Sequence, residues 1–330
     1  MDVALVGTGL IGGSLGLALR ARGHRVVAFD LDPVRLDRAR DLGVADAIAT
    51  DLASAVATCD VAVVATPVGQ VAEAVLAALD AGAPVVTDVG SVKAPIVARV
   101  GAASDRAPQF VGGHPMAGSE QDGLDGADAD LFVGATWVLT PTPTTDPDAH
   151  AAVRVLASAV GAEVVEIDPA EHDDLVAVVS HVPQLAATTL MDVAATGADG
   201  SALLLRLAAG GFRDMTRIAA SHPAIWPDIC AANRDAIVDA LDRYVDALGE
   251  VRRMVEAGER VELLALLERA RGARRALPAA AAVTGPLAEI RIPVPDRPGV
   301  LAEVTTLAGS LGVNIADLEI NHSIEGASGL

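Results

Sequence analysis

Val3 to Val6 form a short buried-strand pattern, followed at once by GTGLIGG and an apolar helical pattern from Ser14 to Arg22. Gly7, Gly9 and Gly12 fit the spacing G-x-G-x-x-G. Between a strand and a helix each glycine has a physical task. The first permits a tight turn, the second lets backbone approach a pyrophosphate, and the third lets the helix pack closely on the strand. The pyrophosphate would rest on the helix N-terminus, at Leu10 and Ile11, where free N–H groups and the helix dipole favour an anion. A second strand, HRVVAFD, ends in Asp30. A carboxylate there can accept hydrogen bonds from both ribose hydroxyls and repels the 2′-phosphate of NADP, which points to NAD. Arg35 is close enough in sequence to keep a 2′-phosphate in play. The bland alternative is a glycine-rich turn that holds no nucleotide. The same first residues imitate a signal peptide, but no basic start precedes them and they carry too many glycines for a membrane helix.

The alternation continues. VAVVATP (61–67), PVVTDVGS (84–91), FVGGHP (110–115), WVLTPT (137–142) and AEVVEI (162–167) read as strands, with a helix between the last two. Strands alternating with helices predict an α/β architecture, a mostly parallel, doubly wound Rossmann sheet over residues 1–168. Ligands of such sheets bind beyond the carboxyl ends of the strands. Thr66, Pro67, Ser91 and His114 each follow a strand and are therefore expected to face one crevice. His114 stands in GGHP with little side-chain bulk around it, either as a turn that happens to contain a histidine or as a base that must meet substrate and cofactor together.

From about Pro169 the strand signals cease. Ala/Leu-rich stretches at 171–197, 201–209, 213–221 and 223–280 predict an all-helical second domain over 169–283, its last helix broken near Gly249 and Gly258. In GGFRDMTRIA, Arg213 and Arg217 stand at i and i+4, with Asp214 three before Arg217; the cluster could bind a carboxylate or form ordinary pairs on a solvated face. SHVPQ puts His181 and Gln184 on one helical face, either lining a cleft or satisfying core hydrogen bonds. Trp226 reads as a helix-packing anchor or a pocket wall. His172, in EHDD, reads as helix N-terminal chemistry. No set of histidines and carboxylates has metal-ligand spacing.

Charge limits the partners. Lys plus Arg number 24 against 44 Asp plus Glu, a formal charge of −20, which disfavours nucleic acid and anionic membranes but permits a locally basic site. Cys59 and Cys230 match no zinc or redox spacing, as suits a reducing cytoplasm.

In their order, GTGLIGGS, VVAFD, ATPV, DVGSVK, GGHPMAGSE, SHVPQ and GGFRDMTRIA resemble the prephenate/arogenate dehydrogenase family, from residue 1 to about 283. The resemblance implies NAD(P)-linked oxidative decarboxylation on the route to tyrosine, by a Rossmann domain and a helical domain that forms a homodimer. It implies that His114 is the catalytic base and that Ser91 lies near the substrate hydroxyl and the nicotinamide. It implies that Arg217 grips a substrate carboxylate, that Glu120 stands at the cleft mouth, and that Trp226 lines the side-chain end of the pocket. Many members have a histidine where this chain has Gln184, an amide that hydrogen-bonds but carries no charge; that departure bears on the choice between prephenate and arogenate. β-Hydroxyacid dehydrogenases, of similar architecture, typically use a second-domain lysine, and no lysine follows Lys93 here. An NAD-binding regulator without turnover is the non-enzymatic alternative.

Residues 287–330 read as a different unit: a strand in LAEIRIPV, a helix in RPGVLAEVTTLAGSLG and a strand in VNIADLEI. PVPDRPGVLAEV with GVNI resembles the first half of an ACT domain, a small-molecule regulatory module, which makes tyrosine the implied effector. With the sequence stopping at SIEGASGL, a partial ACT-like βαβ tail is expected.

Overall fold

The computed structural model describes residues 1–118, 123–196, 206–277, 290, 292–295, 297 and 299–313. Residue contacts divide the chain into two compact units, Met1–Leu267 and Glu268–Leu330.

The first unit contains an eight-stranded sheet in the order β3-β2-β1-β4-β5-β6-β7-β8. The strands are β1 Asp2–Val6, β2 Arg25–Phe29, β3 Ala47–Ile48, β4 Val61–Val64, β5 Val86–Asp88, β6 Phe110–Pro115, β7 Thr136–Thr140 and β8 Glu163–Glu166. All neighbours are parallel except β6 and β7, which pair antiparallel with His114 opposite Val138. The order reverses between β1 and β4, so the turns after these two strands flank the switch-point crevice where such sheets hold ligands.

Helices α1 (Leu10–Ala21), α2 (Pro33–Asp41), α3 (Leu52–Val56), α4 (Val68–Asp80), α5 (Ala94–Ala103) and α6 (Pro147–Ala159) cover both faces. Alternation along β1 divides the core. Val3 and Leu5 pack with Leu15 and Leu19 on one face; Ala4 and Val6 pack with Val71, Val75 and Leu79 on the other. Each such buried Leu or Val contributes about 1.5–3 kcal/mol, and with so few aromatics this repetition of small apolar contacts builds the core.

Three helices start at the dipeptide Asp-Pro. Asp32, Asp146 and Asp168 each accept backbone N–H bonds from the first turn, and the following proline takes the first helical position. A cap of this kind is worth about 1 kcal/mol. The third opens α7 (Pro169–Val176), which a π turn, Ala177–His181, joins to α8 (Val182–Thr196). By length and a mean hydropathy of 1.2 the run Pro169–Thr196 is apolar enough to span a membrane. It carries the buried His172, Asp173 and His181, however, and packs on α5 and on the helix Arg234–Ala257, while Leu175, Val178, Val179 and Val193 are exposed.

The remaining helices are α9 (Gly210–Thr216), α10 (Trp226–Ala232), α11 (Arg234–Ala257) and α12 (Arg260–Arg275). The expected break near Gly249 does not occur: α11 runs through it and stops at Gly258, which takes a left-handed φ of 68°. A lone interior glycine costs a helix only about 1 kcal/mol, too little to end one that packs along its length. Nor is 213–221 one helix, since α9 gives way to a 3-10 turn at Arg217–Ala220. In the second unit the expected tail helix is present as α13 (Val300–Ser310), with Arg297 bonded to Glu303 at 2.7 Å. Most of the two expected tail strands lies outside the described residues.

Candidate active site

The turn after β1 has the geometry its glycines imply. Gly7 adopts φ +97°, and a Cβ there would lie 2.6 Å from the Ala65 carbonyl oxygen. A Cβ on Gly12 would collide with the Gly7 carbonyl. At Gly9 a Cβ would meet nothing within 4 Å, so this glycine borders open space at the start of α1. Leu10 and Ile11 form the first helical turn, and no side chain caps its N–H groups. Across the crevice Pro67 is the N-cap residue of α4, and the Thr66 hydroxyl is buried with no hydrogen-bond partner among the described residues. Asp30 accepts from the backbone N–H and hydroxyl of Thr8 at 2.8 and 2.9 Å, and from Asp32 N–H at 2.9 Å. Arg35 lies 3.6 Å from the same carboxylate and 3.8 Å from Asp32. An open glycine, uncapped N–H groups, an orphaned hydroxyl and a fixed carboxylate at the end of β2 together fit a dinucleotide.

His114 lies within β6 rather than beyond it, half-buried. Its Nδ1 is 2.8 Å from His172 Nε2, and His172 Nδ1 is 2.7 Å from Asp173 Oδ1. The two carboxylate oxygens of Asp173 also accept the backbone N–H groups of Lys93 and Ala94, each at 2.8 Å. Asn233 donates to the Asp173 carbonyl at 2.9 Å and contacts His181 Nδ1 at 3.3 Å. Burial holds the His114 pKa well below its usual 6.5, with the nearby positive charge of Lys93 acting the same way. The ring is therefore neutral at cellular pH.

Lys93, the only lysine in the chain, is fully buried. Its ammonium pairs with Asp88 and donates to the Gly113 carbonyl at 2.8 Å. Burial pulls the lysine pKa down while Asp88 opposes that shift. Asp88 further accepts from Gly90 N–H and Gly113 N–H, at 2.9 and 3.1 Å. This network ties β5 to β6 and fixes the turn that carries the half-buried Ser91.

The reason for the glycines beside His114 differs from the expected one. A Cβ on Gly113 would lie 2.6 Å from the Asp88 carbonyl oxygen, and one on Gly112 would collide with the Thr140 hydroxyl. They are small because neighbouring strands press on them, not because a ligand needs the room. His172, read from the sequence as helix N-terminal chemistry, is instead fully buried against the His114 ring. Asp173, Lys93, Asp88 and Asn233 were missed as well. The available signals were a carboxylate next to a histidine in EHDD and a lone lysine in a chain of 330 residues.

The residues expected on the substrate side are only partly brought together. His181 is 1% exposed and meets the Trp226 ring edge-on, with centroids 6.2 Å apart. Trp226 is half-buried, and its indole N–H donates to Ser221 at 3.2 Å. Gln184 is buried in α8, with its amide 3.5 Å from the Thr188 hydroxyl. α8 packs on the 3-10 turn that begins at the exposed Arg217. Arg213, also exposed, donates to the Ala208 carbonyl at 3.2 Å, so it closes its own segment. Because the helix ends between them, the i,i+4 arrangement of the two arginines is not that of a single α-helix. Glu120 lies outside the described residues.

A doubly wound sheet with a glycine-lined turn at its switch point, and a neutral imidazole near the carboxyl end of β6 in the same sheet, defines a nucleotide-dependent oxidoreductase. Residues 15–166 match the family "Prephenate dehydrogenase, nucleotide-binding domain", and residues 168–269 match "Prephenate dehydrogenase, dimerization domain". The prephenate dehydrogenase of Bacillus subtilis (strain 168) is 34% identical over 334 residues, covering 99% of this chain and 90% of that one. The crystal structure of prephenate dehydrogenase from A. aeolicus in complex with hydroxyphenyl propionate and NAD+ superposes with a TM-score of 0.78 at 30% identity, covering 83% of this chain and 97% of the other. The crystal structure of Synechocystis arogenate dehydrogenase superposes with a TM-score of 0.70 at 32% identity, covering 83% and 99%. The chain belongs to the prephenate dehydrogenase family.

Proposed function

We propose that the protein catalyses the NAD-dependent oxidative decarboxylation of prephenate to 4-hydroxyphenylpyruvate. The observation that carries the proposal is a neutral His114 whose Nδ1 is already engaged, which leaves Nε2 to take a proton. His114 accepts the proton of the ring C4 hydroxyl, the C4–O bond becomes a carbonyl, and the ring carboxylate leaves as carbon dioxide as the ring becomes a phenol. NAD, when bound, accepts the hydride released from C4. Gly7, Gly9, Leu10, Ile11, Gly12, Asp30, Thr66 and Pro67 would hold the cofactor, with Ser91 beside the nicotinamide and the substrate hydroxyl. Arg217, with Gln184, Arg213, Trp226, His181 and Glu120, is assigned to substrate; Arg217 supplies the cation for a carboxylate. The proposed division of labour is nucleotide binding by residues 1–168 and substrate binding and homodimer formation by 169–283, in a cytoplasmic enzyme. Tyrosine is the proposed effector of 287–330.

Gln184 supports a second reading, the oxidation of arogenate, because an uncharged amide does not oppose the ammonium of that substrate. The test is NADH formation by the purified protein with either substrate, with the aromatic product identified. Turnover of prephenate to 4-hydroxyphenylpyruvate is expected. Turnover of arogenate alone would keep the base and change the substrate, and inertness toward both would overturn the proposal. The variant H114N is expected to lose about 100-fold or more in kcat while binding NAD as before. Near-normal kcat would remove His114 from the chemistry.

A further inference from the structure

Three groups stand in line behind the proposed base: His114 Nδ1, the ring of His172, and the Asp173 carboxylate, with successive contacts of 2.8 and 2.7 Å. His172 is fully buried and Asp173 is 4% exposed. The carboxylate is anchored, since it accepts two backbone N–H bonds at the start of α5. An ionised carboxylate can only accept, so the proton between Asp173 and His172 belongs to His172 Nδ1. A neutral imidazole with its proton on Nδ1 has a lone pair on Nε2. That lone pair faces His114 Nδ1, which must then be the donor. His114 is thereby left with its own Nε2 unprotonated.

We infer that His172, oriented by Asp173, is a positioning residue that holds His114 in the tautomer whose Nε2 can accept the substrate proton. The inference rests on the reading of His114 as the base. The logic is that of a carboxylate that orients a catalytic imidazole, extended by one ring. Without His172 the half-buried ring of His114 can place its proton on either nitrogen, and the Nε2–H form cannot act as a base. The relay also gives the charge formed at His114 a path to Asp173: when Nε2 takes the hydroxyl proton, the Nδ1–H bond to His172 strengthens. No proton need leave the site for this, and the redox balance of the reaction is unchanged.

Two substitutions of similar polarity separate this role from simple packing. An asparagine at 172 places its amide near the Nδ1 position, so it keeps the bond to Asp173 and falls short of His114. A glutamine reaches the Nε2 position and can accept from His114 Nδ1. H172N is expected to lower kcat about 100-fold with the KM for prephenate and the affinity for NAD changed less than about threefold. H172Q is expected to recover to within about tenfold of the unsubstituted enzyme. Equal kcat values for H172N and the unsubstituted enzyme, or no recovery in H172Q relative to H172N, would overturn the assignment.

A second readout does not depend on turnover. Nitrogen-15 NMR of the full chain labelled at histidine is expected to show His114 unprotonated at Nε2, and to show that preference lost in H172N and kept in H172Q. A proton on His114 Nε2 in the unsubstituted protein would refute the inference even if prephenate is turned over. If no substrate is turned over, the functional reading fails while the tautomer measurement still decides the role of His172.

Discussion

At the residue scale, buried histidines tie stability to pH. His181 is nearly inaccessible, and burial pulls its pKa from 6.5 to about 4; Asp173 opposes the shift and His172 adds to it. The unfolded chain binds a proton at this position at a higher pH than the folded chain does. Stability is therefore full above the unfolded pKa of 6.5 and declines as pH falls toward 4. His114 is shifted in the same direction and adds to the slope. Urea midpoints measured between these limits are expected to fall with pH, and H181Q is expected to fall less steeply; equal slopes would deny the contribution of His181. The sequence made His114 conspicuous through its neighbours in GGHP and Arg217 through DMTR. It concealed His172, because a pair 58 residues apart leaves no local trace and the folded chain alone makes it a pair. Lys93 was hidden in part for the same reason: Asp88 is only five residues away, but Gly113 and Asp173 are 20 and 80 residues on, in β6 and α7.

At the element scale, the strand–turn–helix unit of β1 and α1 allows a clean division between folding and binding. Gly7 combines φ +97° with a carbonyl 2.6 Å from where a Cβ would sit. G7A is accordingly expected to destabilise the protein by about 2 kcal/mol or more. Gly9 has φ −73° and open space around it, so G9A should unfold at the same urea concentration as the unsubstituted protein. A methyl group at the pyrophosphate approach should nonetheless weaken NAD binding about tenfold or more. Titration of both variants with NAD, alongside urea unfolding, checks the pair; undiminished NAD affinity in G9A would take the cofactor away from this turn. Elements of this kind were readable because their signals are local: apolar strand runs and a glycine fingerprint. FVGGHP coincides with β6. The antiparallel β7 and the π turn at Ala177–His181 were not readable. Strand direction depends on how the connection travels, and the π turn interrupts an apolar pattern that would serve an unbroken helix equally well.

At the scale of the whole molecule, charge and apolar surface oppose each other. Val238, Val245, Leu248 and Val255 are 46–64% exposed on α11, at spacings of seven, three and seven residues, which puts them in one stripe. A helix of a globular unit normally buries such a stripe, and burial returns about 25 cal/mol per Å² of apolar surface. Because residues 168–269 match a dimerization domain, a second copy of the chain is the expected occupant of the stripe. Each copy carries −20, so association has to overcome mutual repulsion, and salt screens that repulsion within about 10 Å at 0.1 M. The protein is therefore expected to be a dimer whose dissociation constant falls as sodium chloride is raised, the reverse of an interface held by ion pairs. The double variant V245E/L248E should run as a folded monomer at concentrations where the unsubstituted chain is dimeric. Light scattering across protein and salt concentration measures both effects. A dimer that loosens with salt, or one that persists with two glutamates in the stripe, would place the interface on another surface.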